Sequence, residues 1–172
     1  QFLPNLTIDD DNVPAVKMNE SFKYLGKIFD AKMDNFEAKS LLKLKLEKLL
    51  KTTSDLNIKA QLKLKILKSY ISSQISFDLR IYDFSYTWIS TQLDGLINNH
   101  VSQWLDLPIS TCISQFMELP KNEGGHGIPS LKSTAEKLRL GLRLSLKNNP
   151  NIELNNIWMS THIHNKNLDT IL

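Results

Sequence analysis

Cysteine is almost absent from this chain of 172 residues, in which Cys112 is the only one. A single thiol can form neither an internal disulfide nor a Cys-rich zinc site, so disulfide-stapled secreted scaffolds and zinc ribbons are excluded. Long apolar runs are also missing: none approaches the roughly 18 residues of a membrane span, and residues 1–11 show no signal-peptide pattern. We therefore expect a protein of a reducing compartment with no membrane span, and the absence of an initial Met indicates a fragment.

Glycine and proline are scarce, with six of each, while 41% of the residues are hydrophobic and 23% are charged. This is the composition of an ordinary globular protein, and at this length one domain with a sizeable core is expected. The net charge of +3 is small but unevenly distributed. Between residues 39 and 68 the acids are Glu47 and Asp55, whereas the lysines are Lys39, Lys43, Lys45, Lys48, Lys51, Lys59, Lys63, Lys65 and Lys68.

Residues 1–34 differ from the rest because they combine prolines, an acidic turn-like cluster at residues 9–12 and two short mixed runs, residues 15–18 and 22–29. Short strands fit this pattern, and a β-hairpin is expected here. The alternation within the second run breaks at Gly26, where a bulge or the close approach of another backbone is the usual reason for glycine.

From residue 35 onward, apolar residues recur at helical spacing, which predicts a mainly α fold with a small β entrance. We expect helices over residues 35–52, over about two dozen residues from 57 to 82, over the apolar positions from 89 to 104, and near residues 111–119. Three glycines and two prolines in residues 120–129 predict a loop. Ser130 then fits the N-cap of a last helix that stops near Pro150 and packs Leu131, Ala135, Leu138 and Leu142.

Histidines and carboxylates indicate no reaction centre. His162 and His164 are two residues apart, but no second cluster of metal ligands lies near them in sequence, so no metal site is expected. His100 falls on an apolar helix face and is expected to be a hydrogen-bonded core or boundary residue. The string GGHG at residues 124–127 lacks the Lys-Ser/Thr of a phosphate-binding loop, which favours a tight packing turn, and residues 9–11 lack the ligand spacing of a calcium loop.

The lysines on two adjacent amphipathic helices fit two interpretations equally well: a surface that neutralises phosphates, and a solvated helix face. In the first interpretation, the lysines expected to contact the nucleic-acid backbone are Lys43, Lys45, Lys48, Lys63 and Lys65. Arg80, Arg139 and Arg143 are weaker candidates for the same role, and Trp104 is expected in the core.

Three strings favour the first interpretation. They are SFKYLGKIFDAKMDN at residues 21–35, TWISTQLDGLINNHVSQWLDLPIS at residues 87–110 and GGHGIPSL at residues 124–131. Their order and spacing resemble the region after the catalytic palm in reverse transcriptases of non-LTR, LINE-like retrotransposons. The resemblance covers roughly residues 14–131.

The resemblance implies a primer-grip-like hairpin at the end of a palm in residues 1–34, a helical thumb-like domain in residues 35–150 and a C-terminal extension in residues 151–172. By this resemblance the 3′ end of a primer would be held by Phe22, Lys23, Tyr24, Leu25 and Gly26. The lysine-bearing helices would follow the backbone of an RNA/DNA template–primer. The other partners implied are the palm and fingers of the same polymerase, in the nucleus and away from membranes.

Members of that family polymerise DNA with aspartates in a Tyr/Phe-x-Asp-Asp sequence, which Asp9, Asp10 and Asp11 do not match. Because two-metal phosphoryl transfer needs those carboxylates, we expect this chain alone to be inactive, with no catalytic residue, no metal ligand and no cofactor. Mg²⁺ would belong to the missing palm. Two alternatives stay open: a helical protein-interaction module, and a non-functional remnant that binds no nucleic acid.

Overall fold

The computed structural model describes residues 6–8, 11–13, 20–24, 26–30, 35–108, 113–154 and 156. The helices are α1 (Phe36–Asp55), α2 (Ala60–Ile66), α3 (Ser72–Ile81), α4 (Tyr86–Trp88), α5 (Gly95–Trp104), α6 (Ile113–Glu118) and α7 (Leu131–Lys147). A π-helical segment, Leu67–Ile71, joins α2 to α3, and a second one, Ile89–Asp94, joins α4 to α5. The predicted mainly α fold is therefore confirmed.

Two antiparallel strand pairs precede the helices. β1 (Leu6–Ile8) pairs with β2 (Asp11–Val13), and β3 (Ser21–Tyr24) pairs with β4 (Lys27–Asp30). Gly26 lies in the turn between β3 and β4 with φ +79°, and, apart from its chain neighbours, no atom of the described residues comes within 4 Å of the position its Cβ would take. The glycine thus serves the tight turn of a hairpin. The regular register of β3 and β4 contains no bulge, so that expectation is wrong, and no described backbone approaches Gly26 closely.

The helix boundaries follow the predicted pattern with one shift. α1 continues to Asp55, past its predicted end at residue 52, and the hydroxyls of Thr52 and Thr53 donate to the carbonyls of Lys48 and Leu49 in the preceding turn. Hydroxyls that bond back to the preceding turn are compatible with a continuing helix, so α1 extends beyond its predicted end.

The last helix begins as predicted. The Ser130 side chain accepts a hydrogen bond from the Ser133 N–H at 3.2 Å, which confirms the N-cap, and Leu131 and Ala135 are buried. The prediction that Leu142 packs in the core is wrong, because its side chain is 42% exposed. α7 packs on α3 and on the second π-helical segment, and this contact buries its N-terminal half only.

The core lies between α1, the two continuous helices that contain the π-helical segments, and the start of α7. Its fully buried large side chains are Leu46, Leu50, Leu67, Ile71, Ile75, Leu79, Phe84, Ile89, Leu93, Val101 and Leu131. None of the described helices is long and apolar enough to cross a membrane.

Candidate nucleic-acid interface

The five lysines predicted to contact a nucleic-acid backbone divide into two groups, those that bond to other described residues and those that do not. Lys43 Nζ donates to Gln92 Oε1 at 3.0 Å, Lys45 Nζ donates to the Gln74 carbonyl at 2.7 Å, and Lys63 Nζ donates to the Ser54 carbonyl at 2.7 Å. These three contacts tie α1 to the second π-helical segment, to α3 and to α2. Lys63 also satisfies a carbonyl of the last turn of α1, where a cation complements the helix dipole.

Lys48 and Lys65 are exposed, and within the described part of the chain they form no hydrogen bond or ion pair. Three further exposed lysines share this property, one on α1, one in the connection to α2 and one in the first π-helical segment. We call the five residues the lysine surface: Lys48, Lys51, Lys59, Lys65 and Lys68. Because no described carboxylate forms an ion pair with these lysines, they can attract an anionic partner at long range.

Asp78 was not anticipated from the sequence and is a central contact of the structure. Its side chain on α3 is 8% exposed and forms ion pairs with Lys27 of β4 and, at 3.2 Å, with Lys45 of α1. The Lys27 ammonium also lies 4.8 Å from the centre of the Phe77 ring. Three elements therefore meet at one buried carboxylate, and removing one partner of such a group is costly.

Tyr82, just after α3, holds the hairpin at a second point. Its hydroxyl donates to the Ile28 carbonyl and accepts from the Ile28 N–H, both at 3.0 Å. Its ring lies 5.6 Å from that of Phe29 and 5.2 Å from that of Phe84. The hairpin is thus docked on the helical body mainly through β4, and β3 is the exposed outer strand, with one hydrogen bond from the Ser21 hydroxyl to α1 at 2.7 Å.

The predicted primer-grip residues lie on the outer strand and at the turn. Phe22 stacks on Phe29 with 5.9 Å between the ring centres, and Lys23 and Tyr24 are exposed. Leu25 lies outside the described residues. Phe22 and Tyr24 thus give β3 two exposed aromatic side chains.

Asp94 connects two of the strings on which the family resemblance depends. Its carboxylate accepts from the Leu131 N–H at 2.7 Å and from the Lys132 N–H at 3.2 Å, at the first turn of α7. Burial raises the pKa of Asp94 above its usual value, although the two N–H groups oppose this shift. Asp94 of the second string therefore caps the helix that begins at the end of the third string.

Arg139 has an internal role. Its Nη2 donates to the Tyr82 and Phe84 carbonyls at 3.1 and 2.7 Å, Nη1 pairs with the Asp83 carboxylate at 3.0 Å, and the guanidinium lies 4.9 Å from the Tyr86 ring centre. All these partners lie in the connection between α3 and α4 or at the first residue of α4. The weak prediction that Arg139 contacts phosphate is replaced by a structural function.

His100 is hydrogen-bonded, as predicted. Its Nδ1 lies 3.0 Å from Ser54 Oγ, which also accepts from Trp104 Nε1 at 2.8 Å. Burial lowers the pKa of His100, while the charge of Glu47 raises it. Trp104 is partly buried against the core.

His162, His164 and residues 9 and 10 lie outside the described residues, and Asp11 is described only as part of β2. In the described ranges there is no group of three or more His, Cys, Asp and Glu that could hold a metal ion.

No family model matches the chain. Among curated proteins, the chain is similar to the retrovirus-related Pol polyprotein from the type-2 retrotransposable element R2DM of Drosophila melanogaster. The two are 30% identical over 161 residues, which is 89% of this chain and 14% of that polyprotein. This similarity supports a relationship to non-LTR retroelements.

Proposed function

We propose that this chain is the primer-grip and thumb region of a retroelement reverse transcriptase, and that it binds the backbone of an RNA/DNA template–primer. The observation that carries the proposal is the lysine surface, a group of exposed lysines on and beside α1 and α2 that form no hydrogen bond or ion pair with any described residue. The hairpin that resembles a primer grip is fixed to the same α1 helix through Lys45 and Asp78. The similarity to a retrotransposon polyprotein supports this choice of partner.

The mechanism is electrostatic and geometric. Lysines that neutralise phosphates release counterions, so affinity falls as salt rises, and contacts of this type carry little sequence preference. Lys48 and Lys65 would provide this attraction, because Lys43, Lys45 and Lys63 hold helices together. The exposed outer strand β3 would face the primer end. Polymerisation, with its Mg²⁺, would belong to a palm and fingers, and the nucleus is the expected location.

The test is a titration of the full chain with a labelled RNA/DNA primer–template at several salt concentrations. We expect Lys48→Gln/Lys65→Gln to reduce the slope of log K against log salt by about 2, since each phosphate contact contributes about 0.9. The matched control, Lys137→Gln/Lys147→Gln, removes the same charge from exposed positions on α7 and should change the slope by less than about half as much.

Two results would contradict the proposal. If the wild-type chain does not bind the duplex at low salt, a protein-interaction module or a non-functional remnant becomes the better account. If both double variants lose the same slope, net charge rather than the lysine surface determines binding. Circular dichroism and thermal unfolding of each variant establish that the helices are intact.

A further inference from the structure

Two aromatic side chains stand exposed on one face of the helix that contains α3. Tyr70, Gln74 and Phe77 are spaced i, i+4 and i+7 and therefore share a face. Tyr70 is 53% exposed and Phe77 is 55% exposed. Aromatic residues at this spacing usually pack inward, but here Leu67, Ile71 and Ile75 occupy the buried face.

A stripe on α1 runs beside these rings. Leu41, Lys45 and Lys48 are also spaced i, i+4 and i+7, and the hydrogen bond from Lys45 Nζ to the Gln74 carbonyl places the two stripes side by side. The contacts of Lys45 with Gln74 and of Lys63 with Ser54 show that α1 and the helix containing α3 run antiparallel, so Lys48 lies toward the Tyr70 end of the second stripe. We call these six residues the aromatic–lysine face: Leu41, Lys45, Lys48, Tyr70, Gln74 and Phe77.

The charge of this face is positive. The carboxylate at its edge, Asp78, is compensated by two lysines, Lys27 and Lys45. Leu41, Lys45, Lys27 and Asp78 line an open recess of about 160 Å³. Lys48 is exposed without a partner in the described structure. The face therefore presents two aromatic rings, about two helical turns apart, beside an exposed lysine.

We propose that the aromatic–lysine face binds single-stranded nucleic acid, with unpaired bases stacking on Tyr70 and Phe77 and phosphates contacting Lys48. The proposal rests on the proposed function for the class of partner and adds a strand that is not paired in the template–primer. Bases expose their flat faces only when unpaired, since a duplex presents base edges and phosphates. Stacking on aromatic side chains together with lysine contacts is the general mode of single-strand binding.

The test compares two probes, a labelled single-stranded oligonucleotide of about 16 nucleotides and the RNA/DNA duplex used above. Tyr70→Leu and Phe77→Leu keep an apolar side chain but remove the ring, and each should weaken single-strand binding about tenfold. Tyr70→Trp and Phe77→Trp should bind at least as well as the wild type. Phe116→Leu, at an exposed aromatic position on α6, is the matched control and should leave both affinities unchanged.

Tyr70 gives the cleaner result, because Phe77 also contacts Lys27 and its variant requires a check of hairpin docking by thermal unfolding. Single-strand binding that is unchanged in both Leu variants overturns the proposal. So does binding that the Trp variants weaken as much as the Leu variants do. Either outcome leaves apolar docking of a protein segment as the use of this face. Salt-sensitive duplex binding that survives such a result would keep the proposed function while this inference fails.

Discussion

Gly125 lies in the loop after α6, where the chain folds back on the end of that helix. A Cβ at this position would lie 2.5 Å from the Leu119 carbonyl carbon and closer still to the Leu119 carbonyl oxygen. The same oxygen accepts the Gly127 N–H at 2.8 Å, and the Gly125 N–H donates to the Pro120 carbonyl at 3.0 Å. A side chain therefore cannot be added without moving a backbone that other hydrogen bonds hold.

The Gly125→Ala variant should be destabilised by about 3 kcal/mol, the sum of an overpacking cost and roughly one lost hydrogen bond. For a chain of this size, that corresponds to a fall in Tm of roughly 6–12 °C. Gly141→Ala is the matched control: Gly141 lies inside α7, and no atom of the described residues outside the local helix backbone comes within 4 Å of its Cβ position. Alanine there should stabilise the helix by about 1 kcal/mol and raise Tm by a few degrees.

Thermal and urea unfolding of the two variants and the wild type measure both effects. A Gly125→Ala variant that melts within about 2 °C of the wild type would refute the packing argument, because a shift that small corresponds to less than about 1 kcal/mol. A fall in the Tm of Gly141→Ala would show that α7 is not a regular helix at that position.

Two further predictions concern groups that hold α7. Burial raises the pKa of Asp94 above 3.8, so the folded chain binds more protons than the unfolded chain between the two pKa values. The contribution of Asp94 to the free energy of unfolding therefore falls as pH rises through its folded-state pKa. The Asp94→Asn variant lacks this pH dependence, and its single amide oxygen can accept only one of the two N–H groups. Its free energy of unfolding should be about 1 kcal/mol below that of the wild type, and this difference should narrow as pH rises. Urea unfolding across acidic to neutral pH measures the difference, and a difference that widens contradicts the argument. Arg139→Met should lose about 2 kcal/mol of unfolding free energy while the salt slope of duplex binding stays unchanged, and a reduced slope in a variant of normal stability would restore Arg139 as a phosphate contact.

Helical periodicity predicted most of the fold, because the apolar residues that form the core repeat regularly. The two π-helical segments were missed, although a signal for them exists. Leu67, Ile71 and Ile75 are four residues apart, as are Ile89 and Leu93, and in a regular α-helix each such step turns the stripe by about 40°. A segment with i→i+5 hydrogen bonds takes more residues per turn and offsets this drift.

α1 shows why that signal is not sufficient on its own. Its buried residues Leu42, Leu46 and Leu50 are also four apart, yet α1 contains no π-helical segment. Its buried face instead turns from the α3 side, which Lys45 contacts, toward α5, where Ser54 meets His100. Only the arrangement of the neighbours decides between the two outcomes.

The candidate site could be predicted in part. Charge density locates a cationic helical pair, but the sequence does not show which lysine ends find acceptors within the chain. Asp78 was the available signal: it follows Ile75 by three residues and precedes Leu79, so it falls on an apolar helix face. A carboxylate in that position is seldom buried without a partner, and this requirement predicts that nearby lysines are engaged.

The ion pairs of Asp78 connect the two functional proposals in one chain of contacts. Lys45 is engaged with Asp78 and Gln74, and Asp78 holds Lys27 of the hairpin strand β4. Binding phosphate at Lys45 would therefore compete with the contact that fixes the hairpin, whereas binding at Lys48, one turn away, would not. For this reason our proposal places the phosphate contacts on the lysines that have no partner among the described residues, so that a nucleic acid could bind the helices while the hairpin keeps its position.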